Sequence, residues 1–346
     1  MLDKFGVRRV GRISTLLWSI APFGAAMTPS VGGYFAARLL LGVGESPTFP
    51  ANAKAIGCWF PPQERSFATS LFDAAAKFAS AIGVPLIGIL LLHVGWRLSF
   101  MATGLISFLY FVLFLRMYRG DPEEDAALSA AEFEYIRAQR ESAPDAIVAQ
   151  RALLGYLLLQ RKVIGLALGF GSYNYVFYLL LAWQPSYLSE SLHIDLLHSF
   201  VYTGVPWMIA TAADLLVGGW LVDALIRRGW NANRVRLTVL VGGTALGLGI
   251  LGAGLSHSSV QALVWISLSI GGLAAAAPVG WSIPSLIAPR SCVGTVGGIL
   301  NLSNQISGVA APIVTGYLVH VQHSFTIAFA VAGLISFSGS ALICFS

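Results

Sequence analysis

Charges interrupt the apolar stretch from Tyr34 to Phe60, and two of them, Arg38 and Glu45, fall close together in Y-F-A-A-R-L-L-L-G-V-G-E-S-P-T-F-P. An ionised side chain in the hydrocarbon layer costs about 2.5–3.5 kcal/mol even on the lenient insertion scale, and it persists facing a bundle interior or a wet cavity. With 33–59 read as one helix, the seven-residue spacing puts both side chains on one face, roughly two turns apart. The planar fork of Arg38 can hold a carboxylate through two charge-assisted hydrogen bonds. A structural ion pair, or snorkelling to the outer interface, is the competing reading for it. Burial and a nearby cation pull the proton affinity of a carboxyl group in opposite directions. Glu45 is therefore a candidate proton carrier, with a permanent salt bridge or a hydrogen-bonded helix contact as its alternative. A fixed cation and a titratable carboxylate facing one cavity suit movement of an anion together with a proton.

Further polar residues interrupt apolar segments. Asp73 and Lys77, in F-D-A-A-A-K-F, are four residues apart on one helix face and can neutralise each other, as a charged pair in a cavity or as a locked structural pair. Lys54 lies nearly opposite Glu45 and closer to the cytoplasm, a position that reads as snorkelling. Asp214 is deep in a later segment, where it pairs with a cation on another helix or touches the cavity. Tyr173, Asn174 and Tyr178 offer hydroxyls and an amide to a ligand, or else pack; Asn174 and Tyr178 share a face. Asn301, Asn304 and Gln305, set among glycines, bind ligand or join helices by hydrogen bonds.

The elements that must position these groups are membrane spans. Of 346 residues, 56% are hydrophobic and 11% charged, where soluble domains carry about 25% charged residues. Mean hydropathy is +0.74. Ten apolar segments are expected, near 12–30, 33–59, 66–92, 98–116, 162–187, 199–226, 236–255, 259–287, 292–319 and 324–345. The fold class is thus an all-α polytopic membrane protein, with 1–117 and 162–346 as helix bundles joined by a polar linker, 118–161. Within the linker, Ser129 followed by Glu132 signals a capped amphipathic surface helix.

The net charge of +5 is concentrated in alternate loops. Lys4, Arg8, Arg9 and Arg12, then Arg65, the linker, Arg227 with Arg228, Arg234 and Arg236, and Arg290 mark one side; only Arg97 breaks the alternation. Both termini are therefore expected in the cytoplasm. No basic run is interleaved with aromatics as a nucleic-acid groove requires, so no nucleic-acid partner is expected. Cys58, Cys292 and Cys344 read as free, buried thiols without metal spacing. Histidines such as His93, His193 and His198 show no ligand spacing. With no H-E-x-x-H, G-x-S-x-G or P-loop, neither an enzyme nor a primary pump is expected, and neither is a cofactor or a bound metal.

An internal echo links the two bundles: L-D-K-F-G-V-R-R near the start and L-V-D-A-L-I-R-R-G later, each placing an aspartate, Asp3 or Asp223, ahead of an arginine pair, Arg8–Arg9 or Arg227–Arg228. Chance similarity between two short turns is the alternative to a repeat. The first of these resembles the loop signature of the major facilitator superfamily. R-L-L-L-G-V-G-E-S-P-T-F-P, W-F-P-P-Q-E-R, A-W-Q-P-S-Y-L and G-T-V-G-G-I-L-N-L-S-N-Q-I-S-G-V-A-A-P-I-V-T-G-Y resemble its anion:cation symporter branch, whose members carry sugar acids and aromatic acids.

The resemblance implies a two-bundle carrier, commonly monomeric, in the bacterial inner membrane. Its partners are a small carboxylate substrate, protons and the lipid bilayer. It implies an arginine for substrate at Arg38, a proton-coupling glutamate at Glu45, and substrate contacts on the helix carrying Tyr173, Asn174 and Tyr178. Asp73 and Lys77 replace amides of relatives. The family has twelve spans with the loop signature between the second and third, so the chain is expected to lack two helices, one of which bears a further substrate-binding arginine. The competing expectation is a non-transporting membrane remnant, receptor or partner protein.

Overall fold

The computed structural model describes residues 2–125, 127–140, 157, 160–193, 196–256, 258–288 and 292–345. Among these the regular structure is helical, without strands. Among the described residues, five helices are long and apolar enough to cross a membrane: Arg65–Met117, Val163–Ser191, Tyr202–Arg227, Ala232–Gly254 and Ser259–Leu286. At about 1.5 Å per residue the first would measure roughly 80 Å, more than twice a hydrocarbon core. Gly95 divides it, with φ 78° and ψ 171°, a backbone conformation that glycine adopts without a Cβ clash. The two spans expected at 66–92 and 98–116 are the two sides of this break.

The span expected at 33–59 is not one helix. Val31–Glu45 ends with the Ser46 N–H on Gly42 O at 3.0 Å, and a second helix, Thr48–Trp59, begins beyond Pro47. Pro47 has no N–H to continue the ladder, and Pro50 follows in the next turn. Glu45 is consequently the last residue of its helix, where the unbroken reading had put it inside one. The helix is well started, by the Ser30 side chain accepting from Gly33 N–H at 3.1 Å.

The chain forms two compact units. The first comprises Met1–Pro62, Leu86–Ala146 and Pro284–Gly298. Here Leu2–Met27 packs on Val31–Glu45 through small residues: Ala21, Ala25, Ala26 and Ala37 are buried, and Ser14 donates to the Gly44 carbonyl. A Cβ on Gly44 would stand 2.7 Å from the Trp18 backbone nitrogen, so only glycine allows this approach. Close packing of small residues is what holds helices together where lipid removes the hydrophobic drive. The surface helix of this unit, Ala130–Arg140, carries the expected capping box: Glu132 N–H donates to Ser129 Oγ at 3.2 Å, and Ser129 N–H donates to Glu132 at 3.2 Å.

The second unit comprises Gln63–Pro85, Ile147–Ile283 and Ile299–Ser346. Its core is made by Phe170, Leu179, Leu180, Trp207, Ile270 and Phe329. A Cβ on Gly204 would lie 2.7 Å from the Ala81 carbonyl, which brings Leu196–Ala213 close against the first part of Arg65–Met117. From Asp214 to Leu221 the chain leaves α-helical geometry for a π-helix, then resumes as Val222–Arg227. Cys58 is half-buried and Cys292 buried, neither in a disulfide; the Cys344 side chain, like Arg290, lies outside the described residues.

Candidate functional site

Lys77, in the second unit, is a buried charge, 1% exposed. Its ammonium lies 2.5 Å from Asp73 and 2.8 Å from Asp214, and it also bonds Tyr173. Asp73 is 4% exposed and Asp214 not at all. The local sequence explains the geometry. The run Ala74–Ala76 keeps one side of the helix slim, the four-residue spacing brings Asp73 back onto Lys77, and close approach at Gly204 brings the helix bearing Asp214 within reach. A buried ammonium without partners would cost several kcal/mol, so three contacts to one Nζ are what its burial demands. Of the two readings for Asp214, pairing with a cation on another helix is the one seen.

The second unit also buries amides. Asn174, Asn301 and Asn304 are at least nine-tenths buried. Asn174 donates to Phe170 O at 3.4 Å, and Asn304 Oδ1 has no hydrogen-bond partner among the described residues. The Tyr178 ring is 2.9 Å from where a Cβ on Gly308 would be, which fixes the ring against the helix of Asn301 and Asn304. Gln184 is a further buried amide of this unit, one that the sequence reading did not single out. It is 1% exposed, with neither amide atom bonded to a described residue. The available signal was its place before Pro185, where the missing N–H already weakens the helical ladder.

In the first unit the Arg38 guanidinium is held by Tyr34 Oη, at 2.9 Å from Nε and 2.8 Å from Nη2. The Phe100 ring centre lies 4.9 Å away. No carboxylate lies within ion-pair distance of Arg38 among the described residues. Glu45, on the same helix, interacts with Arg38 electrostatically from about 10 Å along the axis. Tyr34 and Phe100 thus orient Arg38 without neutralising it.

The two echoed aspartates perform the same task in their own units. Asp3 accepts from Thr295 Oγ1 at 2.9 Å and Gly294 N–H at 3.3 Å, at the start of Val293–Gln322. Asp223 accepts from Phe67 N–H at 2.8 Å, at the start of Arg65–Met117. Both place a carboxylate at the positive end of a helix. Lys54 is paired: its ammonium meets Asp3 at 2.8 Å and the Leu2 carbonyl at 3.0 Å. Arg227 and Arg236 attract the Asp223 carboxylate. Arg8 has its own interactions. Gly229, at φ 89°, ends the turn after Arg228.

Long apolar helices packed through small residues, with paired charges buried between them, are the architecture of a multi-pass membrane protein. The chain belongs to the Major Facilitator Superfamily, whose family model matches residues 1–312. It is 38% identical to an uncharacterised transporter of Bacillus subtilis, YybO, over 98% of this chain and 78% of that protein. It is 29% identical to the probable galactarate/D-glucarate transporter GarP of Escherichia coli, over 100% and 80%. With a D-galactonate transporter of Escherichia coli it shares 28% identity, over 92% and 75%. Among solved structures, a proton:xylose symporter, XylE, superposes with a TM-score of 0.75 at 17% identity, over 98% of this chain and 80% of that one. The human organic anion transporter MFSD10 gives 0.73 at 15%, over 99% and 78%. These two establish the fold.

Proposed function

We propose that this protein is a secondary active carrier that imports an organic anion, a sugar acid or related carboxylate, together with protons. The observation that carries the reading is Arg38: a guanidinium on an apolar helix, oriented by Tyr34 and Phe100, with its charge unspent on any described carboxylate. Such a fork is ready for a carboxylate, and it favours an anion over a neutral sugar because only the anion adds a charge-to-charge contact to the two hydrogen bonds. Glu45, on the same helix and in the field of Arg38, is the coupling-proton residue of this proposal. When a substrate carboxylate neutralises Arg38, that field weakens and Glu45 holds a proton more readily; when substrate leaves, the proton leaves too. The named cargo of the relatives, galactarate, D-glucarate and D-galactonate, supports the substrate class.

In this reading Tyr173, Asn174, Tyr178, Asn301 and Asn304 supply hydrogen bonds for the hydroxyls of the sugar acid. Asp3 and Asp223, with Arg8, Arg9, Arg227 and Arg228, are cytoplasmic latches that open and close as the bundles rock. The protein works in the bacterial inner membrane with both termini in the cytoplasm, as a monomer.

The test is uptake of labelled D-galactonate into proteoliposomes. Arg38→Ala is expected to abolish uptake. Glu45→Gln is expected to lose accumulation driven by a proton gradient while keeping exchange of internal for external substrate. Accumulation by Glu45→Gln to the wild-type level would remove Glu45 from the coupling role.

A further inference from the structure

The Asp73–Lys77–Asp214 cluster does not balance. Two carboxylates face one ammonium, and the fourth member, Tyr173, is neutral as a phenol, so with both acids ionised the cluster carries a net −1. Asp73 and Lys77 come from one helix, Asp214 from a second and Tyr173 from a third, and these are the titratable groups facing one another there. An unbalanced charge with almost no exposure to water is the arrangement proteins avoid by taking up a proton.

Two further observations point to the same ligand. The carboxylates of Asp73 and Asp214 are within hydrogen-bonding reach of each other, yet two ionised carboxylates are both acceptors and repel. A proton between them turns that contact into a hydrogen bond, the solution that paired carboxylates adopt when they share a site. In addition, Asp214 Oδ1 is fully buried and finds no hydrogen-bond donor among the described residues. An ionised oxygen needs donors there; a carboxylic acid needs far less. Asp214 also opens the π-helical stretch Asp214–Leu221, a rare geometry that recurs at functional positions.

We infer that Asp73 and Asp214 share one proton beside Lys77, forming a proton site additional to Glu45. The proton comes from water, forming one carboxyl O–H bond, and returns to water when the cluster opens. The ammonium is enclosed by both acids and by Tyr173, which makes the cluster a proton site in preference to an anion site. Tyr173 ties it to the helix that carries Asn174 and Tyr178. Its role in transport rests on the carrier function proposed above; its protonation does not.

The experiment is infrared spectroscopy of the full chain, purified and returned to lipid. Wild-type protein is expected to show the carbonyl stretch of a protonated carboxylic acid at neutral pH. That band is expected to vanish in Asp73→Asn and equally in Asp214→Asn, because each variant leaves one carboxylate against one ammonium. Absence of the band from wild type across the neutral range overturns the proposal without recourse to any variant, and so does a band that survives both substitutions unchanged. A second arm counts protons per labelled D-galactonate: the Asp214→Asn count is expected to fall by one from wild type, and an unchanged count overturns the coupling of this site. If wild type moves no galactonate, the carrier reading of substrate fails while the infrared result still decides the proton site.

Discussion

Replacing Lys77 by methionine tests the electrostatics of the buried cluster quantitatively. The substitution keeps an unbranched side chain of similar length and removes the ammonium that sits 2.5 Å from Asp73 and 2.8 Å from Asp214. The two acids then remain in a site that is 0–4% exposed, with no cation between them. They cannot both ionise there, so folding requires protonation of the second carboxyl as well as the first. An aspartate with an ordinary pKa near 4 is three units below pH 7, and at about 1.36 kcal/mol per unit that protonation costs about 4 kcal/mol. The figure agrees with the 3–5 kcal/mol generally lost when one partner of a buried pair is removed. At pH 5 the same step spans one unit and costs about 1.4 kcal/mol.

The sign follows from linkage. Folded Lys77→Met binds one proton more than folded wild type, and the unfolded chain binds neither at pH 7, so the deficit of the variant grows as pH rises from 5 to 7. The assay is thermal unfolding in detergent, comparing wild type and variant at both pH values. The variant is expected to melt well below wild type at pH 7 and to recover most of the deficit at pH 5. An unchanged midpoint at pH 7, or a deficit of equal size at both pH values, would refute the reasoning.

Other expectations concern the echoed aspartates and the surface helix. Asp3→Asn and Asp223→Asn each remove a charge from a helix N-terminus, worth about 1 kcal/mol apiece, and Asp3→Asn also leaves Lys54 without its carboxylate. Both are expected to change the rate of transport more than the substrate concentration at half-maximal uptake; a change confined to apparent affinity would place them elsewhere. Bonds from the Ser129 hydroxyl and then its backbone N–H hold the Glu132 carboxyl below its ordinary value, so the cap is intact above about pH 4.5 and is lost as pH falls through the lower folded value. Protection of the amides in Ala130–Arg140, taken relative to the intrinsic exchange rate at each pH, is accordingly expected to fall at acid pH in wild type, and to be low and indifferent to pH in Glu132→Ala.

Local patterns made part of this molecule readable before its structure. Apolar runs located the helices, the Ser129–Glu132 spacing announced its capping box, and four-residue spacing put Asp73 and Lys77 in contact. The interruption at Ser46–Pro47 was harder, because apolar composition continues through it while the backbone ladder does not. The ion pair of Lys54 was hidden for another reason. Its partner Asp3 is remote in the chain, and nothing periodic within one helix reports a contact between two. The same holds for Asp214, whose depth was evident but whose partner depends on the close approach of another helix at Gly204. Gln184 was passed over because an amide within an aromatic, proline-bearing run carries no charge to mark its burial as costly.

The most direct test of the account is uptake by the wild-type chain in proteoliposomes, with an imposed proton gradient, of labelled D-galactonate and of labelled xylose in parallel. The account predicts that galactonate is concentrated inside, that collapsing the gradient with a protonophore ends the accumulation, and that xylose is ignored because Arg38 selects for a carboxylate. Xylose accumulation, or galactonate entry indifferent to the gradient, would contradict it.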